Sequence, residues 1–162
     1  MKKILFFAII LIFSCHLSLS AQNPSGMTHP TKSHVILNST DLNWVDGPPG
    51  LPKGVKVVVL EGDPSREGTF TLRAVMPANY RIPAHWHPTT EHVTVLEGNL
   101  YMGMGESLDE QKAIQLKTGG FSSLPAKTAH YAFTREGCTI QVHAMGPFEI
   151  TYINPADDPR KK

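Results

Sequence analysis

His85 and His87 stand one residue apart in a stretch, residues 83–98, that is rich in β-branched side chains. On an extended strand side chains alternate faces, so the two imidazoles point the same way and Trp86 points the other. Two imidazoles converging on one point are half of a transition-metal site. His130, where a strand is expected to begin after the turn at Pro125, offers a third. Glu91 opens a β-branched run and shares one face of it with Val93 and Val95, while His92, Thr94 and Leu96 take the other. Glu91 and His92 compete for the interior, because a one-residue slip of register would exchange them. The apolar Val93 and Val95 assign Glu91 to the inner face and leave His92 as a surface or interface residue. A carboxylate turned inward has to be paired with a cationic or metal partner, since desolvating it alone is costly.

Strands have to hold these groups. Pro88, Thr89 and Thr90 break the first strand, and Gly98 is expected to end the second in a turn. Gly119 and Gly120 predict a turn before a short strand that stops at Pro125. Upstream, residues 55–60 and 69–75 read as strands, the latter with Phe70, Leu72 and Ala74 on one face; residues 61–64 and 77–80 are turns. Downstream, residues 100–102 pair with 113–116 across a polar turn, and residues 139–144 and 149–153 supply the last strands. Several short strands at this spacing predict a sandwich or barrel. Residues 34–37 are a candidate edge strand, residues 46–54 are too dense in Pro and Gly for regular structure, and residues 106–112 are a candidate single helical turn. No long apolar stripe with a period of 3.6 follows the first 21 residues.

The joint spacing His85-x-His87-x-x-x-Glu91, with Gly98 seven residues on, followed by Gly119, Pro125 and His130, resembles the two sequence motifs of the cupin superfamily. The resemblance covers most of residues 78–134. It implies an all-β fold, a double-stranded β-helix or jelly-roll barrel, holding one divalent metal through His85, His87, Glu91 and His130. Three positions depart from the pattern: Asn79 and Lys127 stand where glycines are expected, and Thr134 where an asparagine is. Asn is among the few residues besides glycine that enter positive φ. Three imidazoles and a carboxylate suit Fe, Mn, Ni, Cu or Zn, and donor type alone does not choose among them. Four protein ligands on a metal preferring six leave two positions for water, oxygen or a chelating substrate; zinc is more often closed at four. By analogy with other cupins the chain is then a metal-dependent enzyme acting on a small molecule, a dioxygenase or related oxidoreductase. The alternative is a non-catalytic ligand-binding or sensor module similar to the zinc-binding cupin domain of the ChrR anti-sigma factor. Single-domain cupins often pair, so the resemblance also implies a homodimer.

In a metal-dependent reaction Glu91 is a catalytic candidate beyond ligation, since a carboxylate can accept a proton. His143 is the other: Gln141 and His143 share one face of their strand, opposite Ile140, Val142 and Ala144, and His143 serves the site only if that face looks into the barrel. Tyr80, Tyr131 and Phe133 are candidate pocket walls, and Met102, Met104 and Met145 read as core. The chain carries no Gly-x-Ser-x-Gly, no Cys-x-x-Cys and no phosphate-cradling glycine loop.

At 162 residues the chain has the length of one domain. Lys2 and Lys3, an apolar run over residues 4–13 and small residues up to Ala21 are the pattern of a secretory signal, too short to span a bilayer. Residues 1–21 are thus expected to be removed, residues 22–33 to form a flexible arm, residues 34–154 one barrel domain and residues 155–162 a polar tail that frays. Removal of the signal lowers the formal charge by two, from +1 to −1, so no basic field remains for nucleic acid. It also removes Cys15 and leaves Cys138 without a disulfide partner, a buried small hydrophobe. An anchor through a lipid on Cys15 is the alternative, disfavoured by the bulky Phe13. The protein is expected to be exported, to a periplasm or the extracellular space, and N-terminal sequencing of the mature form should begin at Gln22 or Ala21. An intact Met1 on cytoplasmic protein, or a lipidated Cys15, would reject that expectation.

Overall fold

A computed structural model of the chain describes residues 34–162. The expectations for the signal, the arm and Cys15 lie outside the described residues. Ten strands follow in order: β1 (Val45–Asp46), β2 (Lys56–Glu61), β3 (Gly68–Met76), β4 (Arg81–Trp86), β5 (Glu91–Met104), β6 (Ile114–Lys117), β7 (Phe121–Leu124), β8 (His130–Phe133), β9 (Cys138–Gly146) and β10 (Thr151–Tyr152). Every pairing is antiparallel. One sheet runs β1-β2-β3-β9-β5 with β7 on the far side of β5; the other runs β10-β4-β8-β5 with β6 beside β5. This is the expected all-β jelly roll.

Alternation along the strands builds its core. On β3 Phe70, Ala74 and Met76 are buried, on β5 Val93, Val95, Leu100 and Met102, and on β9 Ile140, Val142 and Ala144, all in one cluster between the sheets. A second, smaller cluster of Ala84, Tyr131 and Phe133 packs with Tyr101, Leu108, Ala113 and Ile153. Among the described residues no helix is long and apolar enough to cross a membrane.

Gly98 does not end a strand. It sits inside the 14 residues of β5, at the point where the strand leaves one sheet for the other: residues 91–98 pair with β9, and from Asn99 onward the partners are β6 and β8. Its φ of +76° is a left-handed conformation, and a Cβ there would run into the Gly137 carbonyl oxygen and crowd Cys138 at 3.1–3.2 Å. The sequence correctly required a glycine but not a turn, because a corner within a continuous strand makes the same demand on φ.

Three other expectations are corrected. Residues 34–37 pair with no strand and leave Val35, Ile36 and Leu37 exposed, Ile36 at 89%. Residues 106–112 form no helix; a single hydrogen bond from Lys112 N–H to Asp109 O closes a turn. The C-terminal tail is ordered: two short 3-10 turns (Pro155–Asp157 and Pro159–Lys161) are capped by the Asn154 and Asp158 side chains. Arg160 grips Asp158 through two side-chain bonds of 2.8 and 2.9 Å and donates to the Ile150 carbonyl. Polar composition alone predicted fraying, and these local caps and the ion pair oppose it.

Gly98→Ala should destabilise the fold by about 2–4 kcal/mol, strain in φ adding to a clash against backbone. Gly119→Ala, with φ +83° and nothing within 4 Å of the added carbon, should cost only about 1 kcal/mol. Denaturant midpoints for the two variants measure the difference; equal midpoints would remove the corner from its place in the fold.

Candidate metal centre

The two sheets bring His85, His87 and His130 together. His85 on β4 lies directly across from His130 on β8 and from Tyr152 on β10. His87 follows two residues later, past the end of β4, and stacks on Phe148 at 4.2 Å between ring centroids. Glu91, the first residue of β5, pairs with Leu124 on one side and Ala144 on the other. All four are buried: His130 is 2% exposed, His85 3%, His87 7% and Glu91 8%.

Each imidazole is oriented by the same device. The Nδ1 of His85 lies 2.8 Å from the Pro83 carbonyl, that of His87 2.7 Å from the Glu149 carbonyl and that of His130 2.9 Å from the Thr128 carbonyl. A carbonyl oxygen only accepts, so Nδ1–H donates in all three, and in the neutral ring Nε2 is left with its lone pair bare. Those bare nitrogens face one another. One nitrogen from each ring lies within 4.8 Å of the others, and the Glu91 Oε2 lies 3.4 Å from His130 Nε2 and 3.8 Å from His87 Nε2. Three buried imidazoles so arranged could hold a metal ion, with the backbone carbonyls as the outer partners that fix tautomer and ring angle.

The electrostatics agree with a cation-accepting cavity. Burial, then the fields of His130 and His87, pushes His85 down to about 3, so this ring is neutral at physiological pH. Burial also lowers His87. For Glu91 burial pushes the carboxyl up, and a hydrogen bond from His130 with the charge of the His87, His130 and His85 rings brings it below the usual carboxylate range; both causes need a proton on the rings, so the carboxylate is held charged by a cation beside it.

The centre opens into a cavity of about 510 Å³. His85, His87 and Glu91 form its polar end, and Val57, Leu72, Ala74, Ile82, Val142 and Phe148 are among its apolar walls.

Other sequence candidates fall elsewhere. His143 is corrected: it lies on the exposed face of β9, where Ile140, Val142 and Ala144 take the buried positions, and its Nδ1 is 2.9 Å from Thr71 Oγ1 on the neighbouring strand. The apolar triplet claims the interior and turns His143 outward. His92 is its cross-strand neighbour on that outer face, stacked beside Phe121. Tyr131 and Phe133 belong to the second cluster and Tyr80 bonds the Pro52 carbonyl, so none of the three lines the cavity. Met102 is core, but Met104 and Met145 are exposed.

Sequence reasoning missed the Phe148 ring and the Glu149 carbonyl that seat His87. For His85 and His130 the orienting carbonyl lies two residues earlier in each case, a local relation that the paired motifs could have suggested. For His87 the partner is 62 residues away and carries no local signal.

The jelly roll with its inward histidines is a cupin fold. More narrowly, the chain belongs to the family described as Domain of unknown function (DUF4437), whose model matches residues 19–151. No curated protein matches it. Among solved structures it is similar to the polyketide cyclase RemF from Streptomyces resistomycificus, at 19% identity over 80% of this chain and 92% of that one, with a TM-score of 0.65. It is also similar to a candidate acetylacetone dioxygenase from Methylibium petroleiphilum PM1 (17% identity, 78% and 85% of the two chains, TM-score 0.60). A third is an RmlC-like cupin from Shewanella frigidimarina (14% identity, 70% and 91%, TM-score 0.54). At these identities the likeness is one of fold.

Replacing His143 by Ala should leave bound metal unchanged and alter stability by no more than about 0.5 kcal/mol, as for other exposed positions. Elemental analysis and a denaturant melt test both. Loss of metal in this variant would return His143 to the site.

Proposed function

We propose that this chain binds one divalent transition metal through His85, His87, Glu91 and His130 and acts as a metal-dependent enzyme on a small molecule, an oxygenase or related oxidoreductase. The observation that carries the reading is the three bare imidazole nitrogens, held by backbone carbonyls at their other ends and gathered beside a buried carboxylate. The donor set, three nitrogens and one oxygen, fits first-row metals from Mn to Zn. A bound ion of this kind supplies Lewis acidity and, if redox-active, activation of oxygen.

The chain's own part is to position and to handle protons. His85, His87 and His130 cannot turn without breaking their carbonyl bonds, so they present a fixed triangle of donors. Glu91 is the carboxylate that lies within 3.8 Å of the His87 and His130 imidazoles, and with His143 outside the barrel it is the group placed to take up a proton at the centre. Val57, Leu72 and Val142 keep water from the inner wall, which strengthens every polar contact made there. Export belongs to the same reading, supported by the Lys2/Lys3-led apolar run. So does a homodimer, supported by the exposed apolar residues 35–37.

Elemental analysis of the purified protein should give about one equivalent of metal, and each of His85→Ala, His87→Ala, His130→Ala and Glu91→Ala should weaken metal binding by at least roughly tenfold. A turnover screen on metal-loaded protein should find activity that Glu91→Ala lowers along with the metal. Full retention of metal by His130→Ala would break the site in two. Tight metal-dependent ligand binding without turnover would favour a binding module.

A further inference from the structure

The metal-centre reading leaves open what enters the cavity, and the walls speak to that. Of the residues that line its 510 Å³ none is Lys or Arg, and none is Asn, Gln, Thr or Tyr. Apart from the centre itself, the polar lining side chains are Asp46, Ser65 and Glu149; Asp46 is paired with Lys56 at 2.8 Å, and Lys56 is not part of the lining. The remaining surface is aliphatic or aromatic: Val57 of β2, Leu72 and Ala74 of β3, Ile82 of β4, Val142 of β9 and Phe148.

That distribution selects by chemistry. A polyhydroxylated substrate would leave most of its hydroxyl groups unpaired against such walls, each at the expense of lost hydrogen bonds to water. An anionic tail would meet carboxylates, with no cation in the lining to pair with. An apolar skeleton gains from burial at every carbon, and among the polar lining groups His85, His87 and Glu91 are the ones gathered into a cluster with His130. The volume lies well inside the range of roughly 300–1,000 Å³ found for small-molecule pockets.

We infer that the ligand is an uncharged, largely apolar molecule with a single oxygen-bearing head that meets the histidine cluster, its carbon body lying against β2, β3, β9 and Phe148. The inference rests on the metal-centre reading for the head and on the cavity walls for the body. It excludes sugars and dicarboxylic acids as substrates, whichever reaction the centre performs. Val57 on β2, opposite Ala74, and Leu72 on β3, opposite Val59, are only partly buried and then set the length of body that fits.

The test uses the full chain loaded with zinc, which is redox-inert, and calorimetric titration with hydroxamates, whose two oxygens chelate a metal: acetohydroxamate, hexanohydroxamate and octanohydroxamate, with gluconohydroxamate and adipic monohydroxamate as polar and anionic six-carbon controls. Affinity should rise about fourfold per methylene until the chamber is filled, and both controls should bind far more weakly than hexanohydroxamate. Val57→Phe should reduce octanohydroxamate affinity by at least about tenfold and leave acetohydroxamate unchanged; Leu72→Phe serves as a second variant from the adjacent strand. Acetohydroxamate has almost no body, so failure of its binding overturns the metal-centre reading itself, and with it the inference. Retained acetohydroxamate binding with a flat series, equal binding of the controls, or an equal loss across the series in both Phe variants overturns the apolar body alone.

Discussion

Three backbone carbonyls, of Pro83, Thr128 and Glu149, govern what this molecule can do. Each takes the Nδ1 proton of one histidine and so determines which nitrogen of that ring is left as a donor. Without those bonds the rings would be three buried, rotatable bases repelling one another whenever protonated. With them, they are a fixed set of lone pairs. Two of the three carbonyls lie two residues before the histidine they hold, on β4 or just ahead of β8, so strand geometry itself supplies the orientation.

The carboxylate reaches this cluster by a different route. β5 starts in one sheet with Glu91 and finishes in the other, and Gly98 is where it crosses. Val93 and Val95 are 1% exposed, which locks the register that turns Glu91 inward and His92 outward. Past the corner, Gly103 and Met104 pair with Tyr131 and His130, so one strand contributes a ligand candidate at its start and backs the strand of another near its end. The site therefore sits at a seam between two sheets whose relative placement β5 fixes, and packing of the β5 core positions carries directly into the geometry of the cluster.

The sequence made most of this legible because two-residue periodicity is a strong signal when one face is apolar. Strands β2, β3 and β9 fell within one or two residues of expectation; a sandwich or barrel followed from the number and spacing of strands, and the jelly roll from the resemblance of the two motifs. The motif departures also resolve physically. Asn79 and Lys127, where glycines were expected, both adopt φ of +61°, so the turns keep their left-handed residues at the cost of a side chain. Thr134 is 1% exposed and its hydroxyl accepts from Gly137 N–H, a turn-bracing role open to a small polar residue. The carbonyl that holds His87 stayed hidden because it lies 62 residues away. The face of His143 is open in Gln141-x-His143 alone, and the apolar Ile140, Val142 and Ala144 of the same strand settle it outward. The tail's order rests on Arg160 meeting both Asp158 and the Ile150 carbonyl, which composition does not reveal.

Charge closes the argument about the centre. Glu91 falls below the ordinary carboxylate range only through positive charge on the neighbouring rings, while His85, 3% exposed, stays neutral down to a pH of about 3. No lysine or arginine lines the cavity to balance that carboxylate. A buried negative charge among aliphatic walls costs several kcal/mol unless a cation shares its site. Protonating one of the other rings would provide a cation, but it would withdraw a lone pair from the triangle and place its charge against two neighbouring imidazoles. A divalent ion would offset the carboxylate and satisfy the nitrogens together, so the burial that makes this cluster expensive in its bare form is what would favour a metal there.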